Sequence, residues 1–211
     1  MNKLQTTVFI ILATFFIVSP LMGIVSLSWL IKILPIFLLI WVNLKSISAS
    51  KHKIFMAGLV CSAIGDTLLD IDRTQFFVFG LGAFLVAHLF YIISLTPLQN
   101  ILKSKVSLSL VIAYLVYALV MFSFIQPGLS TLLIPVSIYM SVLMLMGIFT
   151  LLSKQSNLWL VMGGISFIIS DSLLGFDKFY SPIPLAGILI MISYYFAQYA
   201  LVKGIFYRKT N

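Results

Sequence analysis

Glutamate is absent from this chain, cysteine occurs once and histidine twice, and charged residues make up only 9% of the sequence. Each scarcity excludes something. The lone Cys61 cannot form an internal disulfide, and inside an apolar run it reads as a small buried hydrophobe. His52, His88 and that one cysteine give no convincing set of metal ligands, so no metal and no cofactor is expected. There is no phosphate loop, no dinucleotide fingerprint, and no spacing that argues a Ser-His-Asp triad. A soluble domain is roughly a quarter charged and about half apolar, so this composition excludes that class as well.

What fills the sequence instead is hydrocarbon. Of its 211 residues, 62% are hydrophobic, and they fall in long runs separated by short polar clusters. Such runs are the signature of a polytopic helical membrane protein. The alternating segments of about ten residues that a transmembrane barrel requires are missing. The runs place spans near Thr7–Met22, Trp29–Leu44, Ile54–Ile71, Phe76–Leu95, Val106–Ile125, Leu132–Leu152, Leu158–Leu174 and Ile183–Val202. The first two cannot be merged, because a single helix would run roughly 55 Å through a hydrocarbon core of about 30 Å. No small-x-small cleavage site lies near Ser19-Pro20-Leu21, so the first span reads as retained. The expectation is one eight-helix transmembrane domain over residues 1–211, in the cell membrane if the source is bacterial.

The net charge of +8 is distributed by topology rather than gathered on one face, which argues against a nucleic-acid partner. Ten of the thirteen basic residues lie in the N-terminal segment, the connections after spans two, four and six, and the C-terminal tail: Lys3, Lys45, Lys51, Lys53, Lys103, Lys105, Lys154, Lys203, Arg208 and Lys209. The opposite connections hold only Arg73 and Lys178, and Lys32 lies inside span two. The positive-inside rule then puts both termini in the cytoplasm.

All five acids are aspartates, and they cluster at the outer ends of spans three and seven: Asp66, Asp70 and Asp72, then Asp171 and Asp177. Asp70, Asp72 and Asp177 read as solvated helix-end groups. Asp66 and Asp171 are deeper, at a level similar to Lys32, and an intramembrane charge marks a functional site by default. The three together imply a shared polar pocket; the plainer alternative is a structural ion pair with Lys32. The block Asp66-Thr67-Leu68-Leu69 is echoed by Asp171-Ser172-Leu173-Leu174, and Phe76 and Tyr91 by Phe179 and Tyr194. A parallel four-plus-four repeat about the membrane normal follows. Ser62 shares the Asp66 face of span three; Phe84, His88 and Tyr91 share a face of span four. His88 reads as a pocket-wall residue, and Tyr139, Tyr194, Tyr195 and Gln198 as further polar contacts.

Taken in order, Lys32-Ile33-Leu34-Pro35, Ser62 through Leu69, Phe76, Gly80, Phe84, His88, Tyr91, Ser170 through Leu174, Phe179 and Tyr194-Tyr195-Phe196-Ala197-Gln198 make the chain similar to the lysoplasmalogenase family of eight-helix membrane proteins. Gly175 stands where the first block has Asp70, so the halves are not equivalent. The resemblance implies a lysophospholipid substrate among membrane lipids, whose vinyl-ether bond is hydrolysed to a fatty aldehyde and glycerophosphocholine or glycerophosphoethanolamine. It suits two catalytic aspartates, Asp66 and Asp171, one delivering a proton and the other activating water, as in inverting glycosidases. Lys32, Ser62, His88, Tyr91, Tyr139, Tyr194, Tyr195 and Gln198 would line the substrate site. The competing expectation is an ion-coupled transporter of small solutes or lipids, which paired intramembrane acids and parallel repeats also fit.

Overall fold

Lipid offers backbone amides no partners, so each apolar run satisfies its own hydrogen bonds by coiling into a helix. The computed structural model describes residues 2–23, 27–47, 49–99 and 105–206. Its helices are α1 (Lys3–Val18), α2 (Ser28–Asn43), α3 (Ser50–Ile71), α4 (Phe77–Ser94), α5 (Lys105–Ile125), α6 (Leu133–Leu152), α7 (Leu158–Phe179) and α8 (Ala186–Ile205). Each, with its flanking turns, is long and apolar enough to cross a membrane. The protein is a multi-pass, all-α integral membrane protein. Lys103, Arg208 and Lys209, which the charge argument used, lie outside the described residues.

Three helices extend four or five residues beyond their sequence boundaries at one end, each for a local reason. α1 starts before Thr7, on a reciprocal cap in which Gln5 N–H donates to the Asn2 side chain and Asn2 N–H to the Gln5 side chain. α3 takes in the polar turn Ser50–Lys53 ahead of its apolar run. α7 continues past Leu174 to Phe179, and Asp177 then fixes the return by accepting from Ile183 N–H at 2.9 Å.

Packing is strongest in two pairs of sequence neighbours, α3 with α4 and α7 with α8. Close approach without side chains in the way makes this possible. A Cβ added to Gly65 would stand 2.6 Å from the Phe84 ring and 3.2 Å from the Gly80 carbonyl across the α3/α4 seam. One added to Gly163 would stand 2.8 Å from Leu201 across the α7/α8 seam. Weaker neighbours recur in matching order: α1 on α2 and α2 on α3, then α5 on α6 and α6 on α7, with α8 touching α2 and α4 touching α6. Helix α5 is the outlier. Only 6% of its spanning window is buried in the protein, against 56% for α8.

The connections sort onto two faces. The segment after α4 pairs with the one after α6, through Gln99 N–H to the Leu152 carbonyl at 2.7 Å and Lys154 N–H to the Pro97 carbonyl at 3.0 Å. At the other end, Lys178 near the close of α7 lies 4.5 Å from the Phe77 ring that opens α4.

Candidate active site

Lys32 of α2 meets Asp66 and Asp70 of α3 near the start of α2 and the end of α3. Lys32 is 5% exposed and Asp66 3% exposed, and Lys32 Nζ lies 3.4 Å from Asp66 Oδ1. Nζ also lies 3.8 Å from Asp70 Oδ1 and donates to the Asp66 backbone carbonyl at 3.5 Å. Pro35, inside α2, has no N–H for the carbonyl one turn back, which loosens this turn. The Tyr195 hydroxyl donates to the neighbouring Lys32 carbonyl at 2.8 Å and fixes the turn against α8.

Asp66 also ends a directed chain of side chains. The Tyr91 hydroxyl donates to Gln198 Oε1 at 3.0 Å, so the Ser62 hydroxyl, 3.0 Å away, is the donor to Tyr91. Gln198 Nε2 donates to the Tyr194 hydroxyl at 3.1 Å, and Tyr194 donates to Asp66 Oδ2 at 2.5 Å. Every donor from Ser62 onward therefore points toward the carboxylate. Chains of this kind polarise one another and favour negative charge at their acceptor end. The spacing that places Ser62 and Asp66 on one α3 face and Tyr194 and Gln198 on one α8 face makes the chain possible.

Asp171 sits in different surroundings. Its Oδ2 accepts from the Tyr139 hydroxyl on α6, and no cation among the described residues stands within ion-pair distance. It faces a small cavity of about 40 Å³ between α4, α5, α6 and α7, otherwise lined mainly by apolar side chains such as Leu81, Met144 and Phe179. Asp66 and Asp171 are within Coulombic reach of each other. The aromatic bank of Phe84, Phe167 and Tyr194 stands between α4, α7 and α8, with ring centroids 5.5 to 6.4 Å apart. His88 completes it, its ring 4.6 Å from Phe167 and 5.5 Å from Tyr139. The imidazole is wholly buried, and neither nitrogen has a hydrogen-bond partner among the described residues. Among the described residues, no three His, Cys, Asp or Glu side chains gather as a metal-holding group.

A profile of the YhhN family matches residues 27–205, which takes in every one of these side chains. The chain belongs to the YhhN family. Curated proteins similar to this YhhN-family chain share one printed name. A lysoplasmalogenase of Mycobacterium bovis is 34% identical over 161 residues, covering 74% of this chain and 62% of that protein. Lysoplasmalogenase TMEM86B of Homo sapiens is 34% identical over 181 residues, covering 82% and 74%. Lysoplasmalogenase TMEM86A of Bos taurus is 33% identical over 192 residues, covering 82% and 77%. The chain thus spans 62% of the length of the mycobacterial relatives it matches. No solved structure matches it.

In this YhhN-family protein, the single three-charge pocket expected from sequence divides into two adjoining clusters. Lys32 lies on α2, which packs on α3 and touches α8, whereas Asp171 faces α6 from α7. Ser62, Tyr91, Tyr194 and Gln198 are joined in the Asp66 cluster, Tyr195 supports Lys32, and Tyr139 belongs to Asp171. Asp70 departs from its expected place as a solvated helix end. It accepts from the Ser28 hydroxyl and pairs with Lys32, its side chain 18% exposed. Ser28 was legible only as the residue one helical turn before Lys32, and Ser172, beside Asp171 in the cavity wall, only by adjacency.

Proposed function

We propose that this chain hydrolyses the vinyl-ether bond of lysoplasmalogens, giving a fatty aldehyde and glycerophosphocholine or glycerophosphoethanolamine, with Asp66 and Asp171 as an acid–base pair. The observation that carries this reading is the unlike setting of two carboxyl groups in one membrane core. Asp66 has Lys32 and an aligned donor chain to hold negative charge. Asp171 has one tyrosine, no ion-pair partner among the described residues, and a mainly apolar cavity. Carboxyls whose surroundings differ in this way are suited to opposite roles. The name shared by the relatives supplies the substrate class.

In this mechanism Asp171 gives its proton to the alkenyl carbon one removed from the ether oxygen, leaving an oxocarbenium ion. Asp66 takes a proton from water as the water oxygen bonds to the cationic carbon. The hemiacetal then expels the glycerol oxygen, which leaves protonated, and becomes the aldehyde. Asp66 ends with a proton and Asp171 without one, so return of that proton resets the pair. Lys32 and Tyr194 steady the ionised carboxylate while the cation forms.

The test is turnover of lysoplasmalogen by purified protein in detergent, run in heavy water. Aldehyde should appear carrying one deuterium on the carbon next to the carbonyl. Absence of aldehyde would overturn the reading in favour of a carrier, which needs two compartments to act. Aldehyde without the deuterium would overturn protonation at carbon.

A further inference from the structure

The cavity at Asp171 is too small for its proposed substrate. Its volume of about 40 Å³ accommodates a few waters at most, since one water takes roughly 10–15 Å³ of such space. A hydrocarbon chain must therefore enter through a wall. Next to the cavity runs a groove of about 560 Å³ between α5 and α6. That lies within the span of small-molecule sites, roughly 300–1,000 Å³. The two spaces share Met140 and Met144, which line both. Methionine is unbranched and rotates freely, so two methionines make a partition that can part without moving backbone.

The groove itself asks for nothing polar. Its two hydroxyls, Ser137 and Ser141, already donate one turn back along α6, to the Leu133 and Ser137 carbonyls at 2.6 and 2.8 Å. Its remaining wall is hydrocarbon, including Leu115, Leu119 and Phe122 of α5. The helix that forms this side is also the one least held by the rest of the protein. A second groove of about 310 Å³ between α5 and α7 touches the cavity through Met121 and Ser172, but it is smaller and has only one methionine at the boundary.

We propose that the α5/α6 groove binds the hydrocarbon chain of a lysolipid, which passes sideways from the bilayer between Met140 and Met144 to bring its head end to Asp171. This rests on the hydrolase reading for its substrate class and deepens it, assigning the chain a site and a direction of entry. The reacting bond adjoins the first carbons of the chain, so the chain must begin at the carboxyl group and extend away from it. The groove offers that continuation.

The experiment uses the full protein in lipid nanodiscs and a saturated alkyl-ether lysophosphocholine with a diazirine at its chain end, which cannot be hydrolysed. Photolabel should map to α5 and α6 residues between Leu115 and Ile148. Excess unlabelled lysolipid should compete it away, and diacyl phospholipid should not. Met144→Trp should lower the competed label at least tenfold and raise KM for lysoplasmalogen by a similar factor. If that variant fails to fold, Ser141→Cys in a Cys61→Ala background, alkylated after purification with a bulky maleimide, gives the same readout on folded protein. Label spread around the lipid-facing surface, label that lysolipid cannot compete, or label confined to the α5/α7 groove would each overturn the proposal. Competed label in the α5/α6 groove without aldehyde release would leave the chain site standing and remove the hydrolase reading. Aldehyde release with label elsewhere would do the reverse.

Discussion

At the scale of single residues, the two clusters make separable demands. Asp66→Asn and Asp171→Asn each preserve size and remove one proton-transfer role, so each should lower aldehyde release by about two to four orders of magnitude. The double variant should be little worse, because groups that act as a unit are non-additive. Well-folded single variants with near-normal turnover would remove the acid–base pair. Lys32→Met leaves Asp66 buried without its cation, a loss of about 3–5 kcal/mol when such a pair is broken on one side. Adding Asp66→Asn to it should recover part of the lost melting temperature, though not the activity. A double variant melting no higher than Lys32→Met alone would show that the pairing does not govern stability. Asp70→Asn keeps a partner for Ser28 and weakens only the longer contact to Lys32, so its effects on both measurements should be smaller. The depth of Asp66 was legible as a charge inside an apolar run. The inward pull on Asp70 was not, because it depends on Ser28 from another helix.

Among the elements, existence was easier to read than partnership. Eight runs of hydrocarbon gave eight helices, and the largest boundary differences fall where polar residues extend a helix beyond its apolar stretch, as at Asp177 and Lys178 in α7. Which face of a span meets protein was not legible in the same way. Lipid-facing and protein-facing surfaces are equally apolar, and only the small residues and the few polar ones distinguish them. Glycines on α3 and α4 give this a direct test. Gly65→Ala would force a Cβ against Phe84 and should cost about 1–3 kcal/mol, read as a lower melting temperature. Gly82→Ala meets nothing within 4 Å and should melt at or above the parent temperature. Equal effects at both positions would show that the seam is not held by close approach. His88 was expected in a pocket wall; the structure surrounds it with rings and gives it no hydrogen-bond partner among the described residues, which the sequence did not reveal.

For the whole molecule, the charge pattern predicts cytoplasmic termini, which labelling can decide. Thr74→Cys and Lys154→Cys, in a Cys61→Ala background, lie in exposed connections after α3 and α6. An impermeant thiol reagent applied to intact cells should reach the first and spare the second. Modification of both from the same side would break the even-span arrangement, and the reverse pattern would place the termini outside. We propose the four-plus-four repeat from the paired Asp66-Thr67-Leu68-Leu69 and Asp171-Ser172-Leu173-Leu174 blocks; Lys32 on α2 stands beside Asp66, and Tyr139 on α6 stands beside Asp171. Sequence could suggest that correspondence but not its departure, since a lysine in one half is answered by a tyrosine in the other.

If a lysolipid chain enters beside α5, as proposed, the loose seating of that helix makes the physical state of the bilayer part of the rate. The helices bearing Asp66 and Asp171 are clamped in the two tightest seams, so the geometry of the proposed acid–base pair is insulated from its surroundings. The α5 boundary faces acyl chains with little protein behind it. Reconstituted in a saturated phospholipid, the protein should therefore slow sharply as the host lipid freezes, giving a break in the Arrhenius plot that a detergent-solubilised sample lacks. In a membrane, the viscosity of the host would then limit how often the carboxyl groups meet a substrate.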